Sequence, residues 1–192
     1  MHILLTVIGT LVVLILAGLA TIYSGVYDVA ATSPDSAVVG WILQNTREHS
    51  IERRAEEIQV AKRGDAEQIQ AGFNHYDDDC AGCHTPPGEQ RSEGAKGMSP
   101  RPPKLAEEAE ELSTAEIFWI VKHGIKMTGM PAWGPTHKDA EIWDIVAFVK
   151  KLPDMKPAEY KAMKLTATDE GEAEGRQGPA AGKIDVEEKL QR

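Results

Sequence analysis

Five consecutive residues carry the clearest chemical signal in this sequence: Cys80-Ala81-Gly82-Cys83-His84, which form the pattern C-x-x-C-H. This pattern is the attachment signal for c-type haem. Two thiols at this spacing can add to the two vinyl groups of one porphyrin, and the adjacent histidine supplies an imidazole to the iron. We therefore predict one covalent haem c held by Cys80 and Cys83, with His84 as an iron ligand.

Three other uses of a cysteine pair fit the sequence less well. A structural zinc site usually needs four Cys or His ligands, but the chain has only two cysteines. A thioredoxin-type pair would follow a strand within a βαβ pattern, whereas this pair ends a helical stretch. A disulfide between Cys80 and Cys83 would close a very small loop and would stabilise the chain little.

A second iron ligand is expected from the loop over residues 124–134, which contains two methionines. Thioether sulfur is a soft ligand that favours ferrous iron and raises the reduction potential relative to two imidazoles. Gly129 lets the backbone approach the ring and Pro131 stiffens the loop, so Met130 is the preferred candidate. Met127 remains the alternative.

Other potential ligands have simpler interpretations. Met98 lies in a Gly- and Pro-rich loop and is interpreted as core filling. His123 is expected to be a cation at a helix C-terminus, and His75 a partly exposed polar residue, although both are rival ligands. The acidic run at 77–79 suggests a metal site, but consecutive residues face different directions on a helix, which favours a solvated face.

The elements that must position these residues are predicted to form one compact domain over residues 65–153. Asp65 can cap its first helix, Gly124 is a natural residue just beyond the second, and Pro153 follows the last. No segment has the β-branched alternation of a strand, so we predict an all-α fold. The helices are predicted over residues 65–79, 114–123 and 138–152, with a long loop over 85–103.

The first part of the chain is strongly apolar, since residues 1–27 contain no Lys, Arg, Asp or Glu. A membrane-spanning helix needs about 20 apolar residues, and residues 3–27 supply them. A cleaved signal peptide is the alternative, because residues 17–20 are small. Signal peptides usually have a shorter apolar region that follows a basic stretch, and that stretch is missing here. We therefore predict an uncleaved transmembrane anchor over residues 1–27.

Two further segments flank the predicted domain. Residues 28–64 are predicted to form a juxtamembrane turn and then an amphipathic helix over 38–63. That helix is either a solvated spacer or a docking helix for a partner subunit. Residues 154–192 carry nine acidic and seven basic side chains but no Phe or Trp. We therefore predict a flexible C-terminal tail, with a short helical turn near Tyr160.

Residues 66–153 resemble class I cytochrome c, and in particular the bacterial, membrane-anchored kind with a single haem. Besides the C-x-x-C-H motif, the resemblance depends on Gly129-Met130-Pro131 and on the closing helix over residues 142–149. It implies a small all-α cytochrome c fold around one covalent haem, preceded by a transmembrane helix and a spacer helix.

The resemblance also implies specific contacts. The first and last helices of this family cross beside a glycine and an aromatic residue, and Gly72 and Tyr76 match those positions, facing residues 143–148. A proline carbonyl in the family accepts a hydrogen bond from the haem-ligating histidine, and Pro103 matches it best. Such a bond fixes the ring of His84 and strengthens its donation to iron.

The resemblance implies an electron carrier rather than an enzyme, because His84 and Met130 leave no open position on the iron. Haem attachment in this family occurs outside the cytoplasmic membrane. That implies a single-pass protein of the bacterial inner membrane with a periplasmic haem domain. It outweighs a weak positive-inside signal from basic residues after the span. The expected partners are the membrane and a redox donor and acceptor, such as a respiratory oxidase, reductase or dehydrogenase.

The net charge limits the possible partners, and two other functions also fit the sequence. A formal net charge of -9 argues against binding to nucleic acid. Residues 65–153 contain 15 acidic and 9 basic side chains, which favours a partner with a positive docking patch. One alternative is a dedicated haem subunit of a larger respiratory complex. The other is a haem enzyme or gas sensor, in which Met130 is absent from the iron or easily displaced.

Overall fold

The computed structural model describes residues 1–61 and 64–176, with side chains as far as residue 167. Within these residues the chain is all-helical and has no strand, which confirms the predicted fold class. A π-helical turn, Tyr76–Cys80, follows α3, and a 3-10 turn, Leu152–Asp154, follows α7. The α-helices are α1 (His2–Ser24), α2 (Ala37–Ala55), α3 (Ala66–His75), α4 (Glu93–Lys96), α5 (Leu105–Glu108), α6 (Thr114–His123), α7 (Asp139–Lys151) and α8 (Pro157–Arg176).

Side-chain caps explain where several helices begin. Asp65 accepts a hydrogen bond from the Gln68 amide at 2.9 Å, so the cap predicted for α3 is present. Ser113 and Glu116 form a reciprocal capping box at the start of α6. These contacts satisfy amides that have no partner inside the helix, and each is worth about 1 kcal/mol.

The predicted crossing of the first and last domain helices is confirmed. α3 packs directly on α7 at Gly72, where an added Cβ would lie 1.9 Å from the Asp144 carbonyl oxygen. One turn further along, the rings of Tyr76 and Phe148 lie 5.1 Å apart between centroids. The absence of a side chain at Gly72 therefore allows the close approach that fixes the turn over residues 80–84 relative to α7.

The core surrounds this crossing and contains residues from both ends of the domain. On α7 the buried positions follow helical spacing, at Ile142, Ile145, Val146 and Val149, which explains why this segment is a helix. Burial of each large apolar side chain contributes about 1.5–3 kcal/mol. Other buried residues of the same cluster are Phe73, Tyr76, Ile117, Phe118, Val121, Phe148, Leu152, Met155 and Tyr160.

The start of the C-terminal segment differs from the flexible tail that its composition predicts. Residues Pro157–Arg176 form α8, and Tyr160 is only 1% exposed. Its hydroxyl donates to Asp77 Oδ1 at 2.6 Å, and its ring packs edge-on against Phe73 at 5.4 Å. Tyr160 and Met155 belong to the core cluster, and Met163 and Ala167 pack against it, although the segment as a whole is polar. Residues 177–192 of the predicted tail lie outside the described residues.

The two helices before the domain differ from each other. α1 is 23 residues long, apolar and wholly unburied, so its length and composition suit a membrane span or a signal sequence. α2 ends at Ala55, whereas the predicted helix continued to residue 63. The Ile58 amide donates to the Ala55 carbonyl oxygen at 3.0 Å, and this shorter-range bond tightens the chain at the end of the helix. Ile51 and Ala55 of α2 are buried, and the helix packs against α6, whereas Trp41 is 66% exposed.

Candidate cofactor site

The C-x-x-C-H motif forms one tight turn directly after the π-helical turn. The amides of Cys83 and His84 both donate to the Cys80 carbonyl oxygen, at 3.0 and 2.8 Å. Cys80 is buried, Cys83 is half-buried, and both are free thiols rather than partners in a disulfide. The helical turn therefore groups two thiols and an imidazole within five residues of backbone.

The protonation of Cys80 argues against a redox-active cysteine pair. Burial is the main cause that raises the pKa of the Cys80 thiol to about 12, and the charges of Asp79 and Cys83 raise it further. Reactive cysteines of the thioredoxin type have thiol pKa values below the ordinary one, since the thiolate is the nucleophile. A neutral, buried thiol here fits a structural or attachment role instead.

His84 is held in one orientation by the backbone of a distant loop. Its Nδ1 donates to the Pro103 carbonyl oxygen at 2.9 Å, which is the contact that the resemblance implied. Because a carbonyl only accepts, the ring hydrogen lies on Nδ1 and the lone pair on Nε2. Burial lowers the pKa of His84, and the Pro103 bond partly opposes this shift. A neutral imidazole with a free Nε2 is the form that binds a metal.

A side-chain hydrogen bond from Arg91 holds the loop that carries Pro103. Arg91 Nη1 donates to the Pro102 carbonyl oxygen at 2.5 Å. The hydroxyl of the buried Tyr76 donates to the backbone carbonyl of His84. Arg91 was not among the predicted site residues, and no sequence pattern marks it, because its partner is a backbone atom of a remote loop.

The methionine loop is pinned on both sides of Met130. The Ile125 amide donates to the Met130 carbonyl oxygen at 3.1 Å, and the Trp133 amide donates to the Val121 carbonyl oxygen at 3.0 Å. The Met130 amide donates to Thr128 Oγ1, also at 3.1 Å. The loop therefore folds back onto the end of α6. Thr128 was not predicted, although a hydroxyl two residues before an amide is a recurrent turn pattern.

The three methionines near this region have different environments. Met130 is half-buried and packs against the core, whereas Met127 is 85% exposed and has a backbone φ of 59°. Met98 packs against the loop, since a Cβ added to Gly129 would lie 3.0 Å from Met98 Sδ. The burial of Met130 favours it as the ligand candidate, whereas Met98 lies against the methionine loop at Gly129 and is not part of the core cluster.

The two histidines that were alternative ligand candidates, His123 and His75, have other contacts. His123 is exposed at the end of α6, where its ring lies 5.0 Å from that of Trp119. His75 ends α3 and contacts the ring of His137. The carboxylates of the acidic run contact different partners: Asp77 binds Tyr160 and Lys164, and Asp79 pairs with His137.

The residues present fit a haem group. The donor set consists of two free thiols at the attachment spacing, an oriented imidazole and a half-buried thioether. Next to His84, the buried Thr85 Oγ1 has no hydrogen-bond partner among the described residues. Buried polar atoms are nearly always satisfied, so a polar group of a bound cofactor is a suitable partner for this hydroxyl.

Comparison with known protein families gives one match. Residues 67–149 match the family described as Cytochrome C oxidase, cbb3-type, subunit III. The matched segment starts in α3, ends in α7, and contains all five predicted site residues: Cys80, Cys83, His84, Pro103 and Met130. No curated protein matches the chain.

Proposed function

Since residues 67–149 form a class I c-type cytochrome domain, we propose that this protein transfers electrons as a membrane-anchored cytochrome with one covalent haem c. Haem binding and electron transfer follow from the family of the domain. The proposal also specifies which residues attach the haem, which residues bind the iron, where the protein lies and which partners it has. When bound, the haem supplies a one-electron iron couple.

We assign four roles to five residues. Cys80 and Cys83 would form the thioether bonds, and His84 Nε2 and the Met130 sulfur would bind the iron. Pro103 fixes the ring of His84 through the 2.9 Å bond to Nδ1, and this is the observation that best supports the assignment. A metal-ligating histidine typically donates its second ring nitrogen in this way.

An electron carrier is favoured over a haem enzyme because the candidate second ligand is held in place. Bonds from Ile125 and to Thr128 fix the backbone on both sides of the Met130 side chain. A ligand restrained in this manner keeps the second axial position filled, which disfavours binding of substrate or gas and limits structural change between oxidation states.

Ligand binding distinguishes these two functions. The full-length protein, purified in detergent, is examined by absorption spectroscopy in its oxidised form and in its reduced form with carbon monoxide. We expect a thioether-to-iron charge-transfer band in the oxidised protein and no binding of carbon monoxide to the reduced protein. Ready binding of carbon monoxide, without the charge-transfer band, would favour an enzyme or gas sensor.

The membrane location is supported by α1, which is apolar, unburied and long enough to span a bilayer. We propose a single span in the bacterial inner membrane with the haem domain in the periplasm. Protease added to spheroplasts is then expected to digest the haem domain, and the chain is expected to resist extraction from membranes by alkaline carbonate. Full protection from external protease would contradict the orientation.

A second candidate is a fixed haem subunit of a respiratory complex, favoured by the description of the matched family as a subunit of a cytochrome c oxidase. Purification in a mild detergent tests it. Stoichiometric co-purification of oxidase subunits indicates a fixed subunit, and recovery of the cytochrome alone indicates a tethered shuttle. In either case the acidic excess over residues 65–153 predicts a partner with a positive patch, and docking that slows as ionic strength rises.

A further inference from the structure

Three side chains that the proposed electron carrier does not use meet on one side of the domain. His75 is the last residue of α3, Asp79 lies one turn later in the π-helical turn, and His137 lies just before α7. One ligand atom from each lies within 4.8 Å of the other two. The shortest of these contacts, between His137 Nε2 and Asp79 Oδ2, is 3.3 Å.

The hydrogen bonds around His137 fix which of its nitrogens faces Asp79. Thr136 Oγ1 lies 3.2 Å from the Trp133 carbonyl oxygen and 3.0 Å from His137 Nδ1. The Trp133 carbonyl oxygen already accepts from the amides of Thr136 and His137, so the hydroxyl can donate either to it or to His137 Nδ1. Both arrangements hold the ring with Nε2 toward Asp79.

The 3.3 Å contact between His137 Nε2 and Asp79 Oδ2 is bridged by a proton or by a metal ion. A metal ion requires the tautomer in which Thr136 Oγ1 accepts from His137 Nδ1–H. An imidazole that donates its other nitrogen to a fixed oxygen is the usual arrangement around a bound metal, because that bond selects the tautomer and aims the ring.

The distances are close to those of a tetrahedral zinc site. Zinc binds nitrogen and oxygen at about 2.0–2.2 Å, so that neighbouring ligand atoms lie about 3.3–3.6 Å apart. The 3.3 Å contact of His137 with Asp79 already meets this value. The ligand nitrogen of His75 lies within 4.8 Å of the other two ligand atoms. It has to move by no more than about 1.5 Å to reach the spacing of a tetrahedral site.

Burial and charge also suit a cation. The side chain of His137 is 13% exposed and that of Asp79 is 31% exposed, so the cluster is partly shielded at the histidines and open to water at Asp79. Glu141 adds negative charge nearby. Its pKa is lowered mainly by a hydrogen bond from the Lys138 amide, so the carboxylate form is favoured.

We propose that His75, Asp79 and His137 bind one divalent transition-metal ion, with Zn²⁺ as the probe and water as a fourth ligand. The ion joins the turn that leads into Cys80 to the segment that follows the Met130 loop. Zn²⁺ binding is therefore expected to raise the unfolding temperature of the domain.

Zinc binding is measured on the full-length, untagged holoprotein in detergent, after treatment with a chelator and dialysis. Calorimetric titration with Zn²⁺ is expected to give one bound ion per chain. His137→Ala, His75→Ala and Asp79→Asn are each expected to weaken binding by at least about 10-fold. The matched control is His49→Ala, because this histidine lies on α2, is 78% exposed and contacts Glu52 instead.

A second variant separates metal binding from loss of folding. Thr136→Val removes the hydroxyl that orients His137 without removing a ligand, and is expected to weaken Zn²⁺ binding while the haem absorption spectrum stays unchanged. The proposal is overturned if the wild-type protein binds no Zn²⁺. It is also overturned if the three ligand variants bind Zn²⁺ as tightly as His49→Ala does. In both cases the His137–Asp79 contact is an ion pair with a shared proton.

Discussion

The two segments proposed to supply the iron ligands are built in different ways. The Cys80–His84 turn continues directly from α3, and its imidazole is fixed by the Pro103 carbonyl oxygen. The methionine loop over residues 124–134 is longer, more exposed, and held mainly by backbone bonds to the end of α6. One segment has two thiols for covalent attachment, and the other has a single thioether.

This difference separates two properties of the site. In the proposed site, attachment of the cofactor would depend on the Cys80–His84 turn, which is restrained by the bonds from Tyr76 and to Pro103. The second iron ligand and the reduction potential would depend on the methionine loop, which could change without detaching the cofactor. Substitutions in the two segments should therefore have effects of different kind and size.

The largest effect is expected from the cysteines. The double variant Cys80→Ala, Cys83→Ala should lose covalent haem completely, and each single variant should retain at most one thioether bond. Haem-dependent peroxidase staining after a denaturing gel measures this. Ala81→Ser is the matched control, because it keeps the C-x-x-C-H pattern. Full staining of the double variant would show that these thiols do not attach the haem.

The next largest effect is expected from Met130. Met130→Ala should open one axial position, allow carbon monoxide to bind the reduced protein, and lower the reduction potential by about 100 mV or more, within the ~0.8 V range that axial ligands span. Redox titration measures the potential. The exposed Met127 is the matched control, and Met127→Ala should change neither property. If Met127→Ala allows carbon monoxide to bind and lowers the potential, and Met130→Ala does neither, Met127 is the ligand.

A smaller effect is expected where the loop leaves α6. Gly124 has a φ of 64°, and a Cβ there would lie 2.6 Å from the Pro131 carbonyl carbon. Gly124→Ala should therefore lower the free energy of unfolding by about 1–3 kcal/mol. Guanidinium unfolding of the holoprotein measures the change. Gly94→Ala is the control, because an added Cβ meets nothing within 4 Å there; an equal loss in both variants would contradict the role given to Gly124.

The smallest effect is expected from Thr128. Its hydroxyl donates to the Ile125 carbonyl oxygen at 2.8 Å and accepts from the Met130 amide at 3.1 Å. Thr128→Val should lower the free energy of unfolding by about 1 kcal/mol and make Met130 easier to displace by added imidazole. Thr166→Val, which removes an exposed hydroxyl bond within α8, should leave displacement unchanged. Equal displacement rates in the two variants would show that this turn does not restrain Met130.

Local patterns were sufficient to predict much of the fold. Pro153 was expected to follow the last helix, and α7 ends at Lys151; Asp65 marks the start of α3. The crossing at Gly72 followed from the resemblance, because composition alone did not separate this glycine from Gly82. The π-helical turn has no such local signal, and a regular helix was predicted there.

Contacts between distant segments could not be predicted in the same way. Tyr160 lies 83 residues from Asp77, its hydrogen-bond partner, and the polar composition around it predicted a flexible tail. His137 was not considered as a ligand, because Asp79 is brought to it only when α3 packs on α7. The Arg91 contact with Pro102 was missed for the same reason.

Intact-mass spectrometry of the purified full-length chain under denaturing conditions tests the central claim most directly, which is that Cys80 and Cys83 hold a haem covalently. We expect a polypeptide that is heavier by the mass of one haem, with the added mass on the peptide that contains both cysteines. A chain at the mass of the bare polypeptide, isolated from cells that attach haem to other c-type cytochromes, would contradict it.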